Sequence, residues 1–203
     1  MTVCIGVIDK ENKCCYVGAD QCVSDFGKTF CSTTPKIFHP CGREDIIIAC
    51  SGSIRMGNLL STDDTLFESI PEDSNLDDTT INIFIKTIIP KIEKHYDTVS
   101  LFSVKKGDDP DIFNLIIAIK DRLYRVLGDL SVYEAESGLM TIGCGRDTAY
   151  GAMEAFRSHS PDLSYIDRIK KSICICSEYN YGITPSSIVL CTKKGERFVK
   201  EGL

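Results

Sequence analysis

The sequence predicts an α+β chain, and three observations carry the prediction. An apolar strand pair opens the chain, two blocks of helical periodicity flank a central strand pair, and a further strand pair closes it. Strands, two helices, strands, two helices, strands is the order expected of a four-layer α-β-β-α sandwich, with helices covering the outer faces of two stacked sheets; periodicity alone also suits other α+β layouts. The 203 residues contain no Gly/Ser-rich or Pro-rich linker, so residues 1–203 are read as one domain with a substantial core.

Residues 3–8 read as a strand, the polar run Asp9-Lys10-Glu11-Asn12-Lys13 as a turn, and residues 14–19 as the return strand. This hairpin carries Asp20 back beside Thr2. A second apolar run opens at residues 32–38, and a second hairpin fits between Asp20 and Lys36, bringing the lysine to the same place. Residues 44–51, with Asp45-Ile46-Ile47-Ile48-Ala49-Cys50 at their heart, predict a fully buried strand, followed by a helix over 54–60. An acidic polar loop spans 61–78, interrupted by Leu66 and Phe67. Residues 79–95 place Ile81, Phe84, Ile85, Ile88, Ile89 and Ile92 at helical spacing, and Pro90 predicts a kink or a boundary there. A polar turn is read at 105–111, then strands at 113–119 and 123–127 joined through Lys120-Asp121-Arg122. Helices follow at 148–158 and 163–177, separated at Pro161, and strands at 187–192 and 197–199 close the chain through a turn at 193–196. No internal repeat is evident.

A net charge of −6 argues against a nucleic-acid surface, which calls for clustered Lys and Arg. The basic run Arg168-Ile169-Lys170-Lys171 lies in an amphipathic helical pattern and reads as a solvated face. No apolar run is long enough to span a bilayer, and the N-terminal residues lack the apolar core of a secretory signal, so the expectation is a cytoplasmic protein with no membrane partner. The eleven cysteines are odd in number and form no Cys-x-x-Cys pair. Cys4, Cys50, Cys174, Cys176 and Cys191 sit in apolar patterns, where a thiol acts as a small hydrophobe, and a reducing compartment suits them. Cys14 and Cys15 are adjacent and point to opposite faces of a strand. None of His39, His95 and His159 lies near a cysteine pair, so neither a metal site nor a cofactor is expected.

The chemistry centres on Thr2. A small residue after Met1 permits removal of the methionine, leaving a residue with both a γ-hydroxyl and a free α-amine. A hydroxyl is a poor nucleophile near neutral pH without a base in reach; the α-amine, with a reference pKa of about 8, is such a base. Many chains begin Met-Thr without catalysis, and taken singly Asp20 also suits a turn cap, Lys36 a solvated charge and Ser51-Gly52-Ser53 an ordinary turn.

Taken together, Thr2, Gly18-Ala19-Asp20, Pro35-Lys36-Ile37, Cys50-Ser51-Gly52-Ser53, Gly143-Cys144-Gly145 and Ala149-Tyr150-Gly151-Ala152 resemble, in order and spacing, the proteasome β-subunit family and its bacterial relative, the HslV-type peptidases. These are N-terminal-nucleophile hydrolases, and the resemblance implies their fold and an amide-bond-cleaving activity on peptide or protein substrates. It implies Thr2 as nucleophile, Lys36 as the cation that lowers the pKa of the threonine centre, and Asp20 as the carboxylate holding Lys36. Gly52 would offer its backbone N–H to the oxyanion, with Ser53 beside it at the substrate. A lysine near an α-amine disfavours protonation of that amine, which frees it to act as a base.

Two segments depart from the family pattern. Cys144 stands where the family has a serine supporting the N-terminal amine, and a thiol is the weaker hydrogen-bonding group. The aspartate that completes the family's site has Glu178 or Asn180 as its counterpart here. The resemblance further implies a homo-oligomeric ring, with an ATP-dependent unfoldase as a partner. Two other readings share the fold: a small-molecule amidase, and a catalytically inactive structural subunit, which a retained Met1 would favour because a blocked amine is no base.

Overall fold

The computed structural model describes residues 1–25, 28–31, 35–72, 76–100, 113–193 and 197–200. β1 (Val3–Asp9) and β2 (Cys14–Asp20) form the expected hairpin, in a register that sets Cys4 opposite Ala19 and Asp9 opposite Cys14. Its turn is built by Asp9, whose Oδ1 accepts the backbone N–H groups of Glu11 and Asn12, and it closes through Lys13 at φ 50°. β3 (Cys22–Asp25) and β4 (Lys28–Cys31) make a separate two-stranded ribbon between Asp20 and Lys36. β5 (Ile37–Phe38) then pairs with β6 (Ile46–Gly52), two residues shorter at its start than the apolar run suggests because Glu44 and Asp45 lie in the preceding turn.

Two five-stranded antiparallel sheets result. With β7 (Phe113–Ile119), β8 (Arg122–Val126) and β9 (Val132–Glu134), one runs β5-β6-β7-β8-β9. With β10 (Leu139–Gly143), β11 (Ser187–Cys191) and β12 (Arg197–Lys200), the other runs β10-β1-β2-β11-β12. The unbroken apolar runs follow from burial on both faces. Along β6, Ile46 and Ile48 point into one apolar cluster and Ile47 and Ala49 into another. The second of these lies between the sheets, where Cys4, Val17, Ile47, Ile116, Leu123 and Ile142 interdigitate. Each fully buried Ile or Leu there contributes about 1.5 to 3 kcal/mol.

Helices pack against each sheet. α1 (Ile54–Thr62) starts at the Ser53 cap, and α2 (Asp78–Ile83) runs through a π-helical stretch, Phe84–Ile88, into α3 (Ile89–Ser100). Phe84, Ile88 and Ile92 pack against Ile46, Ile48, Leu115 and Tyr124, with the Phe84 and Tyr124 rings stacked at 5.0 Å. The irregularity expected at Pro90 appears one turn earlier: Ile89 N–H donates to the Phe84 carbonyl, five residues back. Proline has no N–H to donate and its ring crowds the carbonyl four residues before it, so the turn ahead of it widens while the helix continues. Leu66, Phe67 and Ile70, inside the acidic loop, are buried in the same cluster.

On the other sheet, α4 (Arg146–His159) and α5 (Tyr165–Tyr179) lay Ala149, Met153, Ile169, Ile173 and Cys176 against Val3, Ile5, Val7 and Val189. α5 approaches β2 so closely that a Cβ on Gly18 would sit 2.3 Å from Ile169 Cγ2, which is why a glycine stands there. Cys4, Cys50, Cys176 and Cys191 are buried, as their apolar patterns suggest, whereas Cys174 is only half-buried. The turn read at 105–111, residues 194–196 of the turn read at 193–196, and residues 32–34 of the second apolar run lie outside the described residues. Among the described residues, no helix is long and apolar enough to cross a membrane, and no group of three or more His, Cys, Asp or Glu side chains is arranged to hold a metal ion.

Candidate active site

Asp20 ends β2 with its side chain turned inward, 1% exposed, and three donor groups converge on it through four hydrogen bonds. Lys36 Nζ lies 2.8 Å from each carboxylate oxygen, Val3 N–H donates to Oδ1 at 2.9 Å, and Cys22 N–H donates to Oδ2 at 3.3 Å. The β1–β2 hairpin brings Val3 alongside Asp20, and the turn into β3 folds Cys22 back over it. Lys36 arrives from the second sheet, where its carbonyl accepts Cys50 N–H at 2.9 Å. The ion pair therefore ties the two sheets together at the end where Thr2 lies. A buried carboxylate needs this satisfaction: removing the ammonium from such a pair costs about 3 to 5 kcal/mol.

Thr2 stands next to the pair. Its carbonyl and N–H face the Gly143-Cys144-Gly145 segment: Thr2 N–H points to Cys144 Sγ at 3.4 Å, and the Thr2 carbonyl accepts from the Cys144 thiol at 3.4 Å and from Gly145 N–H at 3.4 Å. Gly143, at φ 90°, closes against the same carbonyl so tightly that an added Cβ would lie 2.1 Å from its oxygen. Only glycine permits that approach. The Thr2 hydroxyl donates to the Met1 carbonyl at 2.7 Å, and Lys36 Nζ donates to the same oxygen at 3.1 Å. A hydroxyl and an ammonium thus reach one carbonyl oxygen from two sides.

Thr2, Lys36, Gly52 and Ser53 line a single cleft whose empty space, including its open mouth, is about 510 Å³. Gly52 ends β6 at φ 93°, turning the chain outward into α1. The Ser53 hydroxyl is engaged as the cap of α1, accepting Met56 N–H at 3.2 Å, so its side chain serves the helix while its backbone borders the cleft.

The two alternatives at the end of α5 do not join this group. Asn180 donates to Thr148 Oγ1 at 3.2 Å and to the Cys176 carbonyl at 3.1 Å, closing the helix, and Glu178 is exposed. Three buried thiols near the centre, Cys4, Cys50 and Cys176, are held neutral. Burial raises Cys4 far above the ordinary thiol range, against a weaker downward pull from Lys36. Burial pushes Cys50 up to about 12 and Cys176 up to about 11. Since the thiolate is the reactive form, these three are poor nucleophiles at neutral pH.

Sequence reasoning did not find β10, nor the cleft lining of Val23, Pro35, Cys50, Ile54 and Gly57. β10 gives little signal of its own, being five residues ending in glycine. Gly57 carried a usable one, since a glycine inside a short helix is unfavourable by about 1 kcal/mol unless space requires it.

No protein-family profile matches the chain, and no curated protein matches it in sequence. Solved structures do match. BPH from Thiobacillus denitrificans superposes with a TM-score of 0.68 at 19% identity, over 94% of this chain and 97% of that one, and a second structure of it, in complex with epoxomicin, matches equally in TM-score at 17% identity. HslV from Trypanosoma brucei gives 0.59 at 15% identity over 93% and 98% of the two chains. Anbu, an ancestral β-subunit from Yersinia bercovieri, gives 0.66 at 13% over 97% and 86%. At these identities the likeness is one of architecture, and this chain has the fold shared by the BPH, HslV and Anbu structures.

Proposed function

We propose that the chain is a threonine-type N-terminal-nucleophile hydrolase of the HslV-like family, cleaving amide bonds of peptides or proteins after Met1 has been removed. The observation that carries the reading is the buried Asp20–Lys36 pair beside Thr2, with Lys36 Nζ and Thr2 Oγ1 both reaching the Met1 carbonyl oxygen. Lys36 disfavours the protonated α-amine of the mature Thr2, and that amine takes the hydroxyl proton as Oγ1 attacks the substrate carbonyl carbon. Gly52 N–H stabilises the oxyanion, an effect of roughly 3 to 4 kcal/mol in comparable hydrolases. The C–N bond breaks as the amine passes its proton to the leaving nitrogen, leaving an ester on Oγ1. Water, deprotonated by the same amine, then releases the acid and restores Thr2. Cys144 and Gly145 hold the Thr2 backbone through these steps, and no cofactor enters.

The architecture belonging to this reading is one domain over residues 1–203, a four-layer α-β-β-α sandwich, supported by the three apolar clusters that alternate with the two sheets. A cytoplasmic homo-oligomeric ring, with its sites facing an inner chamber fed by an ATP-dependent unfoldase, completes it; the fold shared with HslV and Anbu supports this assembly.

The test is intact mass measurement with and without epoxomicin, the compound bound in one of the BPH structures. Purified protein should have lost the mass of one methionine and should gain one adduct per chain, absent from Thr2→Ala and Lys36→Ala. Retained Met1 with no adduct would instead assign the chain to the inactive structural subunits. Adducts confined to cysteines would remove Thr2 as the nucleophile.

A further inference from the structure

The ends of β1 and β10 remote from Thr2 border a second cleft. Val7 pairs with Leu139 four register steps from the Val3–Gly143 pair, which sets this cleft about 13 Å along the strands from the clamp on Thr2. Its empty space, including the open mouth, is about 930 Å³, against about 510 Å³ for the cleft at Thr2. Val7 and Leu139 from the strands and Met153 from α4 line it and are buried, giving it an apolar floor.

The charges around that floor are unevenly matched. Arg157 of α4 is already paired, its guanidinium donating to the Glu154 carboxylate. Arg168 of α5 is held in place without being neutralised: Nη2 donates to the Pro161 carbonyl at 2.6 Å, and the guanidinium lies 5.3 Å from the centre of the Tyr165 ring. Both partners are neutral. Its Nη1 and Nε bond no acceptor among the described residues, and Nε is shielded from water, where an unmet donor is costly. Lys10, on the exposed turn of the opening hairpin, forms no ion pair among the described residues.

Lys10, Arg157 and Arg168 thus stand against Glu11 and Glu154, an excess of one positive charge on a chain whose net charge is −6. A neutral apolar ligand would cover the floor and leave that excess partly desolvated without a counter-ion. A cationic one would add to it. An apolar body carrying one carboxylate satisfies both parts, because apolar surface gains by leaving water and a fixed guanidinium fork matches a planar carboxylate.

We infer that this second cleft binds a small amphipathic monocarboxylate, its apolar tail against Val7, Leu139 and Met153 and its carboxylate answered by Arg168 and Lys10. The site lies apart from Thr2, and the inference does not rest on the hydrolase reading.

The experiment titrates octanoate, an acid short enough to stay monomeric, into the full-length chain by calorimetry at low ionic strength, beside octanol, octylammonium and acetate. Octanoate should saturate one site per chain and bind about tenfold more tightly than each of the other three. Arg168→Gln and Lys10→Gln should each weaken octanoate about fivefold or more, and Arg168→Lys should restore part of the loss. Lys171→Gln, on the same helix but outside the cleft, should change nothing. Lys10 is exposed on a turn, so its variant carries the test even where thermal unfolding shows Arg168→Gln to be misfolded. Equal binding of octanol, an octanoate affinity unmoved by both glutamine variants, or no saturable binding would overturn the inference. Competition of octanoate with epoxomicin for Thr2 would also overturn it, by placing the acid in the other cleft. The calorimetry reads binding whether or not Thr2 is reactive, so failure of the hydrolase reading leaves this test intact.

Discussion

Two strand-to-helix junctions flank Thr2, and they use one local device for opposite purposes. β6 leaves its sheet through Gly52 at φ 93°, and β10 leaves the other sheet through Gly143 at φ 90°. Both chains turn in a backbone conformation that favours glycine and enter a helix within three residues, α1 in one case and α4 in the other. At the first junction the turn opens outward: Gly52 is exposed, Ser53 caps α1, and the space beyond is the cleft. At the second the turn closes inward against the Thr2 carbonyl, with Cys144 and Gly145 adding hydrogen bonds to the same residue. The same kink shapes a concavity where nothing packs against it and clamps a neighbouring backbone where one does. The Asp20–Lys36 pair joins the two sides, Asp20 from the sheet of β10 and Lys36 from the strand edge beside β6.

The largest expected effect comes from cutting that link. Lys36→Met leaves Asp20 buried without its ammonium and should cost about 3 to 5 kcal/mol in a denaturant titration. The double variant with Asp20→Asn should recover much of that loss, because the uncompensated charge is then gone. Full additivity of the two substitutions would deny the coupling between the junctions.

Gly143→Ala attacks the closed junction. The methyl would sit 2.1 Å from the Thr2 carbonyl oxygen, which is backbone and cannot rotate aside, so Thr2 must shift. A displacement of about 1 Å near reacting groups costs about 100-fold in rate, readable as the rate of epoxomicin labelling. Labelling at the parent rate would show that the clamp does not position the nucleophile.

Gly52→Ala attacks the open junction and should do less. Gly52 is exposed, so the cost is the strain of a side chain at φ 93°, about 1 to 3 kcal/mol, measured as a fall in thermal stability. The smallest effect belongs to Ser53→Ala, which removes the cap bond to Met56 N–H and should cost about 1 kcal/mol. Ser53→Asp, keeping an acceptor at the cap, should restore most of it. A larger loss of labelling rate than of stability in Ser53→Ala would mean that the hydroxyl also reaches substrate.

Strong periodicity makes most of the scaffold legible in the amino-acid sequence. The opening hairpin, the buried run through Ile47, the hairpin at Lys120-Asp121-Arg122 and the helices on either side of Pro161 all appear where pattern and turn residues place them. Elements that depend on a partner are not legible. β5 is two residues long, β9 is three, and β10 becomes a strand because β1 offers it an edge, with Val3 opposite Gly143. The widened turn at Phe84–Ile88 reflects a proline two residues further on, and sequence rules mark the proline itself. At the site, Asp20 returning beside Thr2 follows from the hairpin, because an antiparallel register carries the end of β2 back to the start of β1. The three donors gathered around Asp20 and the close approach of Gly143 to Thr2 come from different parts of the chain and leave no local pattern.

What the amino-acid sequence determined by itself was local: which stretches are apolar on one face or two, where the chain must turn, and that a threonine follows the first methionine. Tertiary structure decided the rest, setting Lys36, just ahead of β5, against Asp20 at the end of β2 and pressing Gly143 onto the Thr2 backbone beside the cleft. The physical reason is range. Periodicity and turn chemistry act over a few neighbouring residues, whereas desolvation, ion pairing and close backbone approach act between groups that only packing brings within a few ångströms.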